Sequence, residues 1–335
     1  MTSTSPQGPG WADDVLTQLR EPTPVAVGSA GDTRAAATPA PAAAYRAPAA
    51  LTALAERPRA VHRHLSARPA RTRGQRSWDM LRALAAPPDR AARMDRAMDT
   101  LRTPFATGRR VAVIGAHGGA GATTLALCLT TIAHAHRGDP VALVDAAVTH
   151  GGLLTRLPVA PTMSVEAAAR TMNDAARGVQ SPVRRGDGPV LFSPAAAQAT
   201  RHVLDGIQRH CAVTFIDAGT DAVAHTSSAH AIVVVAENTV RGVAAAQASR
   251  NELAAAGRTA DRVVVVLTCR VADSGVDEAW TRGELSAEGA ALHHIPRDRH
   301  LAGAAQVHLD LLAPDTYLAL TETAAAIMAT SAGMP

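Results

Sequence analysis

Residues 111–124 read VAVIGAHGGAGATT: four apolar residues, a turn rich in glycine, and the start of an apolar segment of helical length. A buried strand that runs through such a turn into a helix lets backbone N–H groups surround a phosphate group. The positive end of the helix adds to the attraction. The stretch therefore predicts a phosphate-binding loop between the first strand of a sheet and the helix that follows it.

Each residue type in the loop suits this role. Glycine at positions 118, 119 and 121 permits positive φ values and a close approach of backbone to ligand. Thr123 stands where a hydroxyl group would bind Mg²⁺, and Thr124 is placed to cap the helix or to contact a phosphate. The predicted nucleotide-contacting residues are His117, Gly118, Gly119, Ala120, Gly121, Ala122, Thr123 and Thr124.

Beyond residue 109 the sequence alternates short β-branched runs with helical stretches. Continuous apolar runs are typical of strands covered on both faces, as in a parallel sheet, and the helical stretches supply the crossovers. The chain is therefore predicted to be α/β, with a doubly wound, mostly parallel sheet and a ligand site at the carboxyl ends of the strands. We predict strands at 110–114, 141–145, 190–192, 213–217, 232–235, 263–267 and 292–295, and helices at 123–134, 165–176, 240–256 and 314–329.

The loop resembles one specific motif, the deviant Walker A loop of the MinD/ParA family of P-loop ATPases, whose pattern is Lys-Gly-Gly-x-Gly-Lys-Thr-Thr. Residues 117–124 agree with it in kind at six of eight positions. The two that differ are both lysines in the family: His117 replaces the signature lysine that reaches across a dimer, and Ala122 replaces the lysine that holds the β- and γ-phosphates. The resemblance covers roughly two thirds of the chain and implies ATP or ADP with Mg²⁺ as the ligand of an intact site.

Other segments resemble the family while departing from it in the same way. Asp145 ends the second strand where the family has a carboxylate near Mg²⁺ or the attacking water, and it is the one candidate catalytic residue. The family's second carboxylate is replaced by Ala147. Asp217 resembles the Walker B aspartate and, with Thr123, is the predicted Mg²⁺ pair. Thr268 stands where the family often has an asparagine that reads adenine.

The missing lysines have no replacement of their own kind, because all 33 basic residues of the chain are arginine. A lysine in the loop makes charge-assisted contacts worth about 1.5 to 3 kcal/mol each. Only histidine or arginine is available to supply that charge, and His117, Arg156 and Arg241 are the candidates.

Composition limits the class of protein. Only 2% of the residues are aromatic although 47% are hydrophobic, so the core must be built from small aliphatic side chains packed closely. Cys128, Cys211 and Cys269 lie in apolar runs without metal-ligand spacing, which favours reduced thiols and a cytosolic protein. No apolar run approaches the roughly 18 residues of a membrane span, and residues 1–10 are polar rather than signal-like.

Residues 1–76 form a predicted disordered arm, rich in Ala, Pro and Arg. Its segment 57–76 holds seven arginines and no acidic residue, a charge run suited either to nucleic acid or to a solvated linker. Residues 77–107 are predicted to be a short helical lead-in, and 108–335 the P-loop domain. The arm together with the approach at 102–114 is similar to MinD-like proteins encoded with actinobacterial type VII secretion systems.

Two functions follow from these expectations. The first is a positioning or adaptor protein for cell-envelope machinery, such as secretion, pilus or septum assembly, that acts as a homodimer with a protein partner and binds nucleotide weakly or not at all. It would be cytoplasmic, or peripheral to the membrane through its partner, since the final segment 317–334 lacks the basic amphipathic face of a membrane anchor. The alternative is an active ATPase that partitions chromosomes or cargo, with segment 57–76 on DNA.

Overall fold

The fold is taken from a computed structural model of the chain. It describes residues 89–147, 153, 156, 163–164, 190–193, 204–208, 210–221, 223, 225–270, 276–286, 290–303 and 307–333. The predicted arm at 1–76, its basic segment 57–76, the first part of the lead-in and the predicted helix at 165–176 lie outside these residues.

A parallel sheet forms the centre of the domain. Its strands, in the order β3-β4-β2-β5-β1-β6-β7-β8, are all paired in parallel. The strands are β1 (Arg109–Gly115), β2 (Val141–Asp145), β3 (Met163–Ser164), β4 (Val190–Ser193), β5 (Val213–Asp217), β6 (Ala231–Glu237), β7 (Val263–Thr268) and β8 (Ala291–Ile295). Since the chain builds outward from β1 in both directions, the sheet is doubly wound, as the sequence predicts.

Residues 204–207 are helical, and six further α-helices in the described part of the chain accompany the sheet. They are α1 (Asp89–Arg102), α2 (Ala122–His136), α3 (Val240–Ala255), α4 (Glu278–Ser286), α5 (Arg299–Ala302) and α6 (Pro314–Ala332). Short 3₁₀ turns cover Ala260–Arg262 and Leu309–Leu311. Helix α6 begins with proline in its first turn and ends at Gly333, whose φ of 70° gives a left-handed C-terminal cap.

The strands β1, β6 and β7 bury both faces, and alternate residues of each face different cores. One core packs the sheet against α2, α6 and the end of α1, and it contains Val111, Val113, Phe215 and Leu320. The other packs the sheet against α3 and α4. This explains why the strands read as continuous apolar runs rather than as alternating ones.

Most of the predicted elements agree with the structure, and their boundaries shift by a few residues. The prediction missed β3, which is only two residues long. The helical lead-in predicted at 77–107 contains α1, which begins just after Pro88; residues 77–88 lie outside the described residues.

Arg137 fastens the end of α1 to the domain. Its guanidinium donates to the carbonyl oxygens of Leu101 (2.5 Å) and Thr103 (3.0 Å) and to the Asp139 carboxylate (3.0 Å). It also lies 4.7 Å from the centroid of the Phe105 ring. The side chain is 1% exposed, so these contacts are made away from water.

Within the described residues, no helix combines the length and apolar character needed to cross a bilayer. The three cysteines are free; Cys128 and Cys211 are buried and Cys269 is half-buried.

Candidate functional site

A cavity of about 1000 Å³ opens at the carboxyl edge of the sheet. Its floor is the glycine-rich loop between β1 and α2, and its walls come from the segments that follow β2, β5, β7 and β8. All eight predicted nucleotide-contacting residues line this cavity, together with Asp145 and Asp217. Its volume is at the upper end of the range typical of ligand sites, about 300 to 1000 Å³.

The loop takes the conformation that its glycines permit. Gly119 and Gly121 have φ values of 81° and 98°, in the region that residues with a side chain rarely adopt. Gly121 is the N-cap of α2, and no side chain caps the helix. The N–H groups of the first turn therefore remain available to an anion at the cavity floor.

His117 is tied to the backbone through both ring nitrogens. The N–H of Glu237 donates to Nε2 at 3.3 Å, and Nδ1 lies 3.1 Å from the carbonyl oxygen of Gly118. Because Nε2 accepts a hydrogen bond while Nδ1 faces an acceptor, these contacts are those of the Nδ1–H tautomer. In this conformation both ring nitrogens face the backbone.

Two carboxyl groups lie side by side beneath the loop. Asp145 and Asp217 are direct neighbours in the register of β2 and β5, and both are at most 2% exposed. Oδ2 of Asp145 is buried without a hydrogen-bond partner among the described residues. Burial, with the Asp217 charge in second place, raises the pKa of Asp145 from 3.8 to about 7, and burial also raises the pKa of Asp217.

Thr123 and Asp217 form the pair expected for a divalent cation. The Thr123 side chain lies near the Asp217 carboxyl group and opposes the rise in its pKa that burial causes. A hydroxyl and a carboxylate oxygen are ligands that Mg²⁺ accepts when phosphate oxygens and water complete its shell. With the unpartnered oxygen of Asp145 nearby, the donor set fits Mg²⁺ bound together with a phosphate. No cluster of three or more His, Cys, Asp or Glu side chains suited to a metal occurs in the described ranges.

Arginines from three separate segments line the same cavity. Arg156 donates from Nη1 to Oγ1 of Thr124 at 2.5 Å. Arg270 donates to the carbonyl oxygen of Gly119 at 3.1 Å, and Arg297 donates to the carbonyl oxygen of Arg270 at 3.0 Å. Of the two arginines named from the sequence, Arg156 lines the cavity, whereas Arg241 is exposed on α3 and is not among the lining residues.

Arg270 and Arg297 were missed by sequence reasoning. Each follows a strand, β7 and β8 respectively, by two residues. The only available signal was that position, because side chains just after the strands of a parallel sheet gather at its carboxyl edge.

No protein-family model matches the sequence, and no curated protein is significantly similar to it. The fold does match solved structures. A ParA family ATPase from Chlorobium tepidum superimposes with a TM-score of 0.52 over 65% of this chain and 97% of that one, at 14% identity. The chain has the MinD/ParA fold. A MinC:MinD cell division complex from Aquifex aeolicus gives a TM-score of 0.50 over 65% of this chain and 94% of that chain, at 15% identity.

Within the MinD/ParA fold, the position of the phosphate-binding lysine in the resembling motif belongs to Ala122. This residue opens α2, is 8% exposed and lines the cavity. Its side chain is a methyl group, so only the backbone N–H remains to face a ligand. The position of the signature lysine belongs to His117, whose ring nitrogens both face the backbone.

Thr268, at the position where the MinD/ParA family often has asparagine, contacts the protein's own backbone. Its hydroxyl lies 3.0 Å from the carbonyl oxygen of Ala120 and 3.2 Å from that of Ala236. It joins the end of β7 to the loop and to β6. The described structure therefore gives this side chain a role in holding the loop.

Proposed function

We propose that this chain is a positioning or adaptor protein built on the MinD/ParA fold, with a degenerate Walker A loop that binds nucleotide weakly and does not turn it over efficiently. One observation carries the proposal. The two loop positions that hold lysine in the resembling motif hold a backbone-bonded imidazole at His117 and a methyl group at Ala122.

The energetic consequence is large for hydrolysis. Phosphoryl transfer depends on positioned charge around the transferred group, because the enzyme performs little covalent chemistry. Losing one charge-assisted contact costs about 1.5 to 3 kcal/mol, or roughly 10- to 150-fold in an equilibrium or rate. Two lost lysines therefore favour a protein that retains the shape of the site without its catalytic power.

The carboxyl side of the site is better preserved. Asp145 and Asp217 end adjacent strands, and both line the cavity with Thr123. This favours Mg²⁺ with ATP or ADP as the ligand of whatever binding remains, with Thr123 and Asp217 on the metal. Asp145 is the candidate for holding the attacking water, but the position of the second carboxylate is occupied by Ala147.

The role in the cell is proposed from the kind of protein that shares the fold. The two solved structures above are described as a ParA family ATPase and as a cell division protein in complex with MinC. We propose a homodimer that binds a protein partner of secretion, pilus or septum machinery, in the cytoplasm or at the membrane through that partner. The resemblance to proteins of type VII secretion makes that system the first to test.

A second function is supported by the arginines of the cavity. Arginine supplied from outside the loop restores phosphoryl transfer in related P-loop enzymes by factors of about 10³ to 10⁵. Arg156, Arg270 and Arg297 line the cavity, so an active ATPase that partitions chromosomes or cargo is the alternative. Segment 57–76 would then hold DNA.

Phosphate release by the purified full chain with Mg-ATP, with and without double-stranded DNA, separates the two functions. The Asp217→Ala variant gives the background, because it removes the proposed Mg²⁺ ligand. An adaptor releases phosphate at the rate of Asp217→Ala under both conditions. DNA-stimulated turnover that Asp217→Ala abolishes would show a working partition ATPase.

The positioning role is tested in cells with a fluorescent fusion. If the chain acts as an adaptor, its focus or septal band should persist when Thr123 and Asp217 are both changed to alanine. An ATP-driven positioning protein loses its pattern with the same changes. A fusion that lacks residues 57–76 is compared in the same way, and a pattern lost only in that deletion would indicate that DNA binding contributes to positioning.

A further inference from the structure

Arg156 is held at the first turn of α2 by two contacts. The N–H of Val307 donates to its carbonyl oxygen at 3.2 Å and fixes the backbone. Its guanidinium reaches Oγ1 of Thr124, in the turn that begins at Ala122. The positive side chain therefore lies beside the uncapped N–H groups at the floor of the cavity.

The charge of Arg156 is not neutralised within the described part of the chain. The described ion pairs use Arg90, Arg93, Arg110 and Arg137, and Arg156 bonds through its side chain to a neutral hydroxyl. Burial is the largest cause that lowers its pKa; Cys128 opposes it, and the neighbouring Arg270 charge lowers the pKa by a smaller amount. Since an unpaired cation away from water is costly, an anion beside Arg156 would stabilise it.

The described ion pairs do not join Arg156 to any of the acidic residues that line the same cavity, which are Asp145, Asp217, Glu237 and Asp298. The first turn of α2 has no acidic residue, and its N–H groups carry the positive end of the helix dipole. Arg270 lies at the exposed rim on the other side of the loop, where it bonds to the carbonyl oxygen of Gly119. A cation from each side thus borders the space over the loop, with Arg156 placed deeper.

We propose that Arg156 supplies the positive charge that the phosphate-binding loop lacks, and that it binds the phosphates of a nucleotide at the first turn of α2. This rests on the proposed function, because it identifies the residue on which the remaining weak binding depends. Arg156 is a binding residue that the family motif does not contain, contributed by the segment after β2 instead of by the loop. Its planar guanidinium suits two phosphate oxygens at once.

The test compares Arg156→Gln with Arg156→Lys in the full chain. Glutamine keeps an N–H donor for Thr124 but removes the charge, whereas lysine keeps the charge. Arg241→Gln is the matched control, since Arg241 is exposed and does not line the cavity. Calorimetric titrations with Mg-ATP, Mg-ADP, AMP and pyrophosphate identify which part of the ligand Arg156 contacts.

For Mg-ATP we expect Kd to rise about 10- to 100-fold in Arg156→Gln, by less than about threefold in Arg156→Lys, and not at all in Arg241→Gln. Pyrophosphate that binds the wild type as well as ATP, and loses affinity equally in Arg156→Gln, assigns the contact to phosphate alone. Unchanged ATP binding in Arg156→Gln overturns the proposal, as does a wild type that binds none of the four ligands at millimolar concentration.

A charge transferred to the loop provides a second, independent arm. The double variant Ala122→Lys with Arg156→Gln places a cation at the family's own position, so it should recover the affinity that Arg156→Gln loses. Thermal unfolding shows whether each variant is folded. If Arg156→Gln is not folded, the Mg-ATP affinities of the wild type, Arg156→Lys and Arg241→Lys are compared instead. An equal loss of affinity in the two lysine variants would contradict the proposal. Rapid ATP turnover by the wild type would refute the proposed function, whereas ATP binding indifferent to Arg156 would refute only this inference.

Discussion

Replacing Asp145 with asparagine should remove much of the pH dependence of stability. The pKa of Asp145 is raised from 3.8 to about 7, mainly by burial. Between these two values the folded protein holds a proton that the unfolded chain has released, so the free energy of unfolding falls as the pH rises. The fall is fully expressed above about pH 7.

The size of the effect follows from the same two values. A difference of one pKa unit corresponds to 1.36 kcal/mol, so the step from 3.8 to about 7 amounts to roughly 4 kcal/mol for Asp145 alone. Asparagine has nearly the same shape and cannot ionise. The stability of Asp145→Asn relative to the wild type should therefore rise by about 1.4 kcal/mol per pH unit between the unfolded and the folded pKa of Asp145.

Urea denaturation at pH 5, 6, 7 and 8, in buffers without divalent cations, measures this gain. Asp139→Asn is the control, since that carboxylate is partly exposed and ion-paired with Arg137. A stability difference between Asp145→Asn and the wild type that is the same at pH 5 and pH 8 would show that Asp145 does not titrate with a raised pKa.

Three further predictions concern packing around the sheet and the loop. Gly242→Ala should destabilise the protein by about 2 kcal/mol or more, because the new Cβ would lie 2.0 Å from the carbonyl oxygen of Glu237. Gly283→Ala, in open space on α4, should instead stabilise the protein by about 0.5 to 1 kcal/mol. Chemical denaturation of the two variants compares these free energies of unfolding. Arg137→Ala should lower the free energy of unfolding by about 3 to 5 kcal/mol because it removes the buried contacts to Leu101, Thr103 and Asp139. Arg102→Ala, at an exposed position, should change the thermal midpoint little. Similar losses of stability in the two variants would show that Arg137 does not fasten α1. Thr268→Val should lower the free energy of unfolding by about 1 to 2 kcal/mol and speed amide hydrogen exchange in the loop, since it removes the hydroxyl contacts to Ala120 and Ala236. Unchanged exchange would contradict the role of Thr268 in holding the loop.

The sequence was most informative where one physical rule determines both pattern and structure. Strands buried on both faces must be apolar throughout, so 141–145 and 213–217 could be read directly and match β2 and β5. The loop was equally legible, because only glycine tolerates the φ values at 119 and 121. In contrast, β3 has two residues, too few to show any period.

The contacts that determine the charge of the site could not be read. The backbone contacts that hold His117 include the N–H of Glu237, 120 positions further along the chain. Arg270 and Arg297 follow different strands and meet only because β7 and β8 are adjacent and parallel. Arg156 was one of several arginines of equal standing in the sequence, and its contact with Thr124 sets it apart from Arg241.

We infer that the phosphate-binding loop presents too little positive charge for firm nucleotide binding. Calorimetric titration of Mg-ATP into the wild type and into Ala122→Lys measures this shortfall, since the variant restores one cation at the family's position. We expect Ala122→Lys to bind Mg-ATP at least about tenfold more tightly than the wild type. Equal and tight binding by the two proteins would show that the loop does not lack charge.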